Sequence, residues 1–462
     1  PWTAVAFLLV PALSLTVAGA ANASTDEHEH PVTGQLSVAQ LTGPREGAPD
    51  ARFTLTAARG EIRLDSGRTV QGLTFNSRSP GPELRVQRGD LVEVTLVNTD
   101  VTEGVTLHWH GVDVPNAEDG VPGVTQDAVL PGGRHVYRFV PPHTGSFWYH
   151  THRDGALNVK RGLFGAFIVE DDAESDLDRT LFAHAWPAGD QDIVALDRAD
   201  RPGRQDAEAG STVRLRTVNS SEEPQQLVVG GTPFTVAALD GNTIQGATPL
   251  EPGTGLLLPA GGRYDLTFTM PAGPVTVGLA GTPDAALTLS PGGTATGALP
   301  GIAETFDPLS YGSGTAPAGG GHQRTYDLRL DDGFGFSQGR LNYVSSLING
   351  RLYPAVPSLE VSRGELVKVR IANRGIVNHP FHLHGHRVRV LTRNGEPATG
   401  SPWWTDTLNV ASGELYELEF LATNPGIWMD HCHNFEHGAS GMIMHVVYTG
   451  VGSPYSSDHA PE

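Results

Sequence analysis

The sequence predicts an all-β protein made of three consecutive Greek-key-like β-sandwiches. Short alternating runs such as "LVEVTLVN" and "VKVRIAN" are separated by Gly, Pro, Asn and Asp, as expected of strands joined by turns. The content of 57 Gly and 34 Pro residues fits frequent turns. A chain of 462 residues is also too long for one ordinary core, which favours two or three domains.

An internal repeat indicates how many units there are. A strand-like segment that ends in Asn occurs three times without gaps, and each copy is followed by a second matching piece. The first pieces are "RGDLVEVTLVN" (88–98), "AGSTVRLRTVN" (209–219) and "RGELVKVRIAN" (363–373), and the second are "PGGRHVYRF" (131–139), "AGGRYDLTF" (260–268) and "ASGELYELEF" (411–420). We therefore predict domains at 34–172, 173–300 and 324–450, a linker at 301–323 and a tail at 451–462.

Residues 1–33 are predicted to precede the folded domains. The run "WTAVAFLLVPALSLTVAGAANA" is apolar and ends in small residues, which is typical of a signal peptide cleaved after Ala23. The alternative is the last part of a retained membrane anchor. Either interpretation predicts an extracytoplasmic protein, secreted or anchored with the domains outside.

The charge of the chain limits its partners. A formal net charge of −20 disfavours nucleic acid and anionic membrane surfaces, and a metal cation or a neutral organic molecule fits better. The single cysteine excludes an intrachain disulfide. The sequence does not give the oligomeric state, although a monomer is favoured.

Histidines follow the repeated Asn in the first and third copies but not in the second. They fall in four clusters, "HWHG" (108–111), "HTH" (150–152), "HPFHLHGH" (379–386) and "HCHNFEH" (431–437). In a strand, residues i and i+2 point to the same face, so each His-x-His pair projects two imidazoles together. The eight imidazoles are His108, His110, His150, His152, His382, His384, His431 and His433. They can converge if the first and third units meet, and a cluster of Cu, Zn, Fe or Ni would suit them, whereas the middle unit is predicted to lack this chemistry.

The single cysteine lies between two of these histidines. Cys432 points away from His431 and His433 and is predicted to face the interior of its own unit. His379, His437 and Met442 are placed to join it, and two His, one Cys and an axial Met are the ligands of a blue-copper electron-transfer site. Electrons taken at Cys432 would then reach either flanking histidine along the chain.

The four motifs resemble those of the multicopper oxidases, the laccase-like family, over about residues 34 to 450. The resemblance implies three cupredoxin domains and four coppers per chain: one type 1, one type 2 and two type 3. It implies four one-electron oxidations of a substrate coupled to the reduction of dioxygen to water, with His431, Cys432 and His433 carrying the electrons. By motif, the type 1 ligands are His379, Cys432, His437 and Met442, the type 2 ligands are His108 and His382, and the type 3 ligands are His110, His150, His152, His384, His431 and His433.

The resemblance also suggests where protons enter. Asp119 matches an acidic residue that often follows the first motif, although an Asp before Gly is also typical of a turn. A second acid often follows the last type 1 histidine, but Gly438 stands there, which leaves the proton source open. Glu436 is not expected to substitute. Asp430 is expected either near the substrate edge or as the cap of a turn.

The substrate is less defined by the sequence. The chain has only four Met residues and therefore lacks a Met-rich insert, which favours phenols and aromatic amines. The alternative is a metallo-oxidase that acts on Cu(I) or Fe(II). Two other classes are a non-enzymatic copper-binding electron-transfer protein and a copper nitrite reductase, and the number of His-x-His pairs argues against both.

Overall fold

The computed structural model describes residues 36–171, 173–316, 320–337 and 340–455, and these are almost all strands and turns. The all-β prediction is confirmed. Within these ranges, no helix is long and apolar enough to cross a membrane. The predicted signal peptide or anchor lies outside the described residues.

The first unit contains two four-stranded sheets. Their strand orders are β3-β2-β5-β7 and β4-β9-β8-β6. The strands are β1 (Leu36–Ser37), β2 (Ala51–Arg63), β3 (Thr69–Phe75), β4 (Leu84–Gln87), β5 (Val92–Asn98), β6 (His108–His110), β7 (Arg134–Phe139), β8 (Gly145–His150) and β9 (Phe164–Glu170), with a short helix α1 (Gly155–Asn158) between β8 and β9.

The middle unit contains two six-stranded sheets. Their orders are β11-β10-β13-β18-β15-β16 and β12-β20-β19-β14-β17-β21. The strands are β10 (Leu177–Trp186), β11 (Ile193–Leu196), β12 (Gly203–Asp206), β13 (Thr212–Asn219), β14 (Gln225–Gly230), β15 (Thr235–Leu239), β16 (Asn242–Thr243), β17 (Thr254–Leu258), β18 (Arg263–Thr269), β19 (Val275–Leu279), β20 (Thr282–Ser290) and β21 (Glu304–Thr305).

The third unit contains a seven-stranded and a five-stranded sheet. The first runs β23-β22-β25-β31-β27-β28 with β29 on β27, and the second runs β24-β33-β32-β26-β30. The strands are β22 (Arg324–Ser337), β23 (Arg340–Ile348), β24 (Leu359–Val361), β25 (Leu366–Asn373), β26 (His379–Leu383), β27 (Val388–Arg393), β28 (Glu396–Pro397), β29 (Trp404–Thr405), β30 (Thr407–Val410), β31 (Leu415–Leu421), β32 (Ile427–Cys432) and β33 (Ile443–Tyr448), with helix α2 (Phe435–Ala439). A last strand, β34 (Val451–Gly452), lies outside both sheets and pairs in parallel with β1.

The repeat seen in the sequence is a repeat of structure. The repeated strand pairs in parallel with the first long strand of its unit and antiparallel with the second repeated piece, in all three units. The Asn that ends it is buried each time, at Asn98, Asn219 and Asn373. Each amide donates to two main-chain carbonyls and accepts one main-chain N–H. The Asn therefore fixes the turn that follows each repeated strand.

Apolar contacts join the first and third units. Val121 and Val124 pack with Ile427, Met429 and Ile443 in one buried cluster. The Asn116 side chain donates to the Ile427 carbonyl at 2.8 Å and accepts the Ile427 N–H at 3.1 Å. The start of β32 is thereby fixed against the first unit.

We expect Asn219→Ala and Asn373→Ala to lower the free energy of unfolding by about 2–4 kcal/mol, because each leaves buried carbonyls without a donor. Urea denaturation followed by circular dichroism measures the effect. Gln71→Ala, which removes a solvent-exposed amide, is the control and should cost under about 1 kcal/mol. Equal losses in all three variants would contradict this role of the repeated Asn.

Candidate metal centre

Strands from the first and third units bring the eight predicted imidazoles together. The register pairs His108 with His150 across β6 and β8, and His382 with His431 across β26 and β32. All eight side chains are at most 1% exposed. They form one buried cluster at the interface between the two units.

Several sets of three histidines in this cluster can contact one ion. In each set, one ring nitrogen of every member lies within 4.8 Å of the others. The sets are His108/His382/His384, His108/His110/His150 and His152/His384/His431. The remaining member, His433, has its ring centre 4.8 Å from that of His110. Overlapping sets of this kind suit more than one metal ion.

The hydrogen bonds of the cluster orient its lone pairs inward. Five rings place Nδ1 against a protein oxygen: His108 on Asp119 O at 3.1 Å, His150 on Thr151 O at 2.9 Å, His382 on Asp406 O at 2.8 Å, His384 on Asp119 Oδ2 at 3.0 Å and His431 on Cys432 O at 3.2 Å. An Nδ1–H that donates to oxygen leaves Nε2 as a lone pair. The Nε2 atoms of His108 and His382 face each other at 3.4 Å, and those of His384 and His431 at 3.2 Å. Two lone pairs at this distance repel unless a cation joins them, so the donor set fits bound metal.

His110 uses the opposite nitrogen. Its Nε2 lies 2.8 Å from Thr407 Oγ1, and its buried Nδ1 has no hydrogen-bond partner in the described part of the chain. The same is true of both ring nitrogens of His433. Buried imidazole nitrogens are normally hydrogen-bonded, so these atoms also fit metal ligands.

Burial disfavours the charged form of six of the eight rings. Desolvation lowers the pKa of His110, His150, His152, His384 and His433 well below the ordinary value, and the neighbouring histidines add to the effect. Burial also lowers the pKa of His382 to about 4, although Asp406 opposes it. The neutral imidazole is the form that ligates a metal.

A second group lies on the other side of β32. Cys432 Sγ is 3.8 Å from His379 Nδ1 and 3.5 Å from His437 Nδ1. Met442 is fully buried in the same apolar cluster as Cys432, and its carbonyl accepts the Cys432 N–H at 3.1 Å. The Asn434 side chain caps α2 by accepting the His437 N–H, which holds that histidine near the cysteine. The structure thus brings these four residues together, apart from the eight-histidine cluster.

The chain is similar to known proteins. Two family models described as multicopper oxidase match residues 56–174 and 327–450, which together are more than half of the chain. The chain belongs to the multicopper oxidase family. It is 26% identical over 90% of its length to multicopper oxidase MmcO of Mycobacterium tuberculosis, covering 90% of that protein. It is 27% identical over 90% of its length to laccase-1 of Botryotinia fuckeliana, covering 84% of that protein.

A solved structure of a multi-copper oxidase has a similar fold. The multi-copper oxidase from Pseudomonas thermotolerans is 25% identical, covers 87% of this chain and 100% of its own, and superposes with a TM-score of 0.71. The resemblance noted from the motifs is therefore confirmed. This multicopper oxidase is a copper-dependent oxidoreductase with dioxygen as the acceptor.

Asp119 lies directly against the cluster of this multicopper oxidase. One carboxylate oxygen is 3.1 Å from His108 Nδ1 and the other is 3.0 Å from His384 Nδ1. It also ends a short turn before Gly120, where an added Cβ would lie 1.9 Å from the Leu107 carbonyl. Asp119 therefore occupies a turn and contacts two histidines, and its role with protons stays a prediction.

Two other acidic residues do not reach the cluster. Asp430 lies inside β32 and is only 6% exposed, so it does not cap a turn, and its position relative to the substrate stays a prediction. Burial raises its pKa well above the ordinary value. Glu436 is exposed and lines an open groove with Lys160 and Asp192, so it faces solvent.

The middle unit supplies none of the predicted ligands, but two of its residues pack against the site. The turn before β18 packs on the cluster so closely that a Cβ on Gly261 would lie 2.9 Å from both His110 and His433. Arg263 reaches into the interface and binds Asp406 through two 2.6 Å hydrogen bonds. Asp406 was missed because no histidine lies next to it in sequence. For Gly261 and Arg263, the sequence signal was "AGGRYDLTF", whose Gly-Gly-Arg repeats that of the first unit.

We expect the metal-free protein to lose stability as the pH falls from about 6.5 towards 4. Burial holds the folded pKa of His382 and of His384 below the unfolded value, so the unfolded state binds more protons over this range. His382 alone corresponds to about 3 kcal/mol. Urea denaturation at several pH values measures the loss.

His184 provides the control. It is buried outside the cluster with its pKa lowered to about 4, so His184→Gln should remove only its own share of the loss. A free energy of unfolding that stays constant between pH 7 and pH 4 would contradict the neutral state of the cluster.

Proposed function

We propose that this multicopper oxidase is a laccase-like enzyme that holds four copper ions per chain and oxidises phenols or aromatic amines. Bound copper would take single electrons from the donor and reduce dioxygen to water. The proposed type 1 ligands are His379, Cys432, His437 and Met442, the type 2 ligands are His108 and His382, and the type 3 ligands are His110, His150, His152, His384, His431 and His433. The separation of the cysteine group from the eight-histidine cluster supports this division.

The chain's own residues prepare the reaction. The two peptide units that join His431, Cys432 and His433 connect the sites covalently, since Cys432 faces one side of β32 and its neighbours face the other. Asp119 holds two imidazoles by their Nδ1 atoms. Dense apolar packing around the cluster excludes bulk water.

A cavity of about 220 Å³ beside α2 carries the substrate proposal. Its walls include Lys160 of the first unit, Ser221 and Glu222 of the middle unit, and Phe435, two residues before His437. A cavity of about 150 Å³ is large enough for benzene, so one aromatic ring fits. The buried Glu222 Oε1 has no hydrogen-bond partner among the described residues, which suits a phenolic hydroxyl or an amine.

Glu222 is suited to take the phenolic proton. Burial raises its pKa to about 7, Lys160 opposes this, and the carboxylates of Glu436 and Asp192 add to it. A phenol that gives up one electron must also release one proton to become a neutral radical. A carboxylate with this pKa accepts that proton near neutral pH.

A second candidate donor is Fe(II). Asp192, Glu222 and Glu436 interact electrostatically with the ammonium group of Lys160, and Glu223 interacts with Glu222. Carboxylate oxygens are hard ligands that suit such an ion. Cu(I) prefers thioethers, and all four Met residues are buried. The acidic cavity therefore favours Fe(II) over Cu(I) as a metal substrate.

We also propose an extracytoplasmic location, which the apolar segment before residue 24 supports. Edman sequencing of the mature protein tests it. An N-terminus after Ala23 supports a secreted enzyme, retention in the membrane fraction with this segment intact supports the anchor, and an uncleaved protein in the cytosol overturns the proposal.

Dioxygen uptake by the copper-loaded protein tests the substrate, with a dimethoxyphenol, Fe(II) or weakly chelated Cu(I) as the donor. We expect uptake with the phenol, rising as the pH passes about 7 and Glu222 ionises. Glu222→Gln should lower kcat/KM for the phenol by about tenfold and remove that rise. The exposed Glu251→Gln is the control. Uptake driven mainly by Fe(II) or Cu(I) would instead establish a metallo-oxidase.

Cys432→Ser tests the proposed copper sites. We expect loss of the intense blue absorption and of turnover, with copper content falling from about four to about three per chain, because a hydroxyl cannot replace the thiolate ligand. Atomic absorption and visible spectroscopy measure both quantities. A variant that stays blue would show that the type 1 assignment is wrong.

A further inference from the structure

A second cavity, of about 160 Å³, lies between the middle and third units. Its outer wall includes half-buried Arg393 and Glu414 and exposed Thr305, and its inner wall includes Asp240, Thr405 and Thr407, which are buried. The volume is enough for several water molecules. The lining thus runs from the surface to the interface between the two units.

One lining group indicates that the cavity holds water. Asn409 is 8% exposed and lines the cavity, and its Oδ1 has no hydrogen-bond partner in the part of the chain that the structure describes. Buried side-chain carbonyls are rarely left without a donor, and a water in a polar cavity supplies one.

The inner end of the cavity touches the histidine cluster. Thr407 Oγ1 lies 2.8 Å from His110 Nε2 and 3.2 Å from His382 Nδ1. It also donates to Asp406 Oδ1 at 2.8 Å. The Thr407 hydroxyl is therefore the last polar group between the cavity and two predicted copper ligands.

Asp240 stands beside this inner end. One of its carboxylate oxygens accepts a hydrogen bond from the main-chain N–H of Arg263 at 2.8 Å. The other accepts a short hydrogen bond from the Thr405 hydroxyl. Thr405 and Thr407 both line the cavity, so waters within it can link Asp240 to Thr407. This produces a continuous polar path from Asp240 to the cluster.

Two buried carboxylates share one arginine here, and their pKa values shift in opposite directions. The Arg263 guanidinium binds Asp406 through both oxygens, which holds the pKa of Asp406 well below its ordinary value despite its burial. Asp240 has only a 3.4 Å contact with the same guanidinium. Burial raises its pKa, Arg263 opposes this, and the charge of Asp406 adds to the rise. Environments that separate two such groups assign the proton to one of them.

We propose that this cavity admits the protons consumed in dioxygen reduction and that Asp240 is the relay residue that carries them. Each dioxygen takes up four electrons and four protons to give two waters. Asp240 gives one proton at a time to the water chain that ends at Thr407 and regains it from water at the cavity mouth. The route does not depend on the reducing substrate, and it reaches the cluster by a face other than that of Asp119.

An infrared titration of the metal-free protein tests the relay residue itself. We expect the carbonyl band of a protonated carboxylic acid that vanishes as the pH rises and shifts in D₂O, and we expect Asp240→Asn to lack it. Other charged or titratable groups face Asp240: Arg263, Tyr264 and Asp406 directly, and Arg393, Glu414 and Tyr416 across the cavity. The difference between the wild-type and Asp240→Asn spectra isolates its band from theirs.

Stopped-flow reoxidation tests the route. The copper-loaded enzyme is reduced under argon and mixed with dioxygen, and the return of the blue absorption is followed. We expect Asp240→Asn to slow reoxidation about tenfold or more, with reduction by the phenol unchanged. Asp265→Asn removes another buried carboxylate, one that binds Arg214 and does not line this cavity, and it should reoxidise at the wild-type rate.

A second pair of variants tests the same route in case Asp240→Asn does not fold. Thr405→Val keeps the side-chain shape without the hydroxyl and should slow reoxidation, whereas Thr405→Ser should restore it. Wild-type reoxidation in both Asp240→Asn and Thr405→Val would overturn the proposal, and so would a difference spectrum between wild type and Asp240→Asn without a titrating carboxylic-acid band. If these variants slow reduction by the phenol but reoxidise normally, the relay proposal is also overturned. The residues would then act on the donor reaction rather than on dioxygen reduction.

Discussion

The rest of this structure depends on lone pairs of buried imidazoles that face one another. Main-chain carbonyls and Asp119 hold the Nδ1 atoms of the cluster histidines, so the Nε2 atoms of His384 and His431 meet at 3.2 Å. This arrangement is repulsive without a cation, and burial prevents protonation from relieving it. The apolar contacts between Val121, Ile427 and their neighbours must therefore hold two separately folded units in register. Bound copper converts the repulsion into coordination.

The middle unit supplies no histidine to the cluster, yet it shapes the site. Gly261 closes the cluster beside His110 and His433, where any side chain would collide. Arg263 neutralises Asp406, whose carbonyl orients His382. Buried charges of this kind persist only when they are paired, and here the partners come from different units. The middle sandwich thus fixes the geometry of a site that it does not ligate.

The alternation of side chains along one strand separates the cysteine group from the histidine cluster, and its backbone joins them. In β32, Cys432 packs inside the third unit with Met442, while His431 faces the first unit. A one-residue slip would exchange these faces, so the pairing of Phe381 with Cys432 and of His382 with His431 matters for both sites. Carboxylates border the cavities beside both ends of the site, Glu222 near α2 and Asp240 near Thr407, each with its pKa raised by burial. Electron entry and proton entry can therefore occur at separate faces of one compact core.

The sequence by itself determined the fold class, the family and the histidine-rich strands. These follow from local rules: period-two alternation places His108 with His110 and sets Cys432 against its neighbours, and gapless repetition reveals equivalent strands that end at Asn98, Asn219 and Asn373. Only the tertiary structure decided which nitrogen of each imidazole points inward, that Asp430 is buried in β32, and that Arg263, Asp240 and Asp406 meet beside the cluster. Such contacts join residues far apart in the sequence, 143 positions for Arg263 and Asp406 and 297 for His110 and Thr407, and no local pattern marks them. Their energies arise from burial and charge pairing, which exist only once the three sandwiches have packed together.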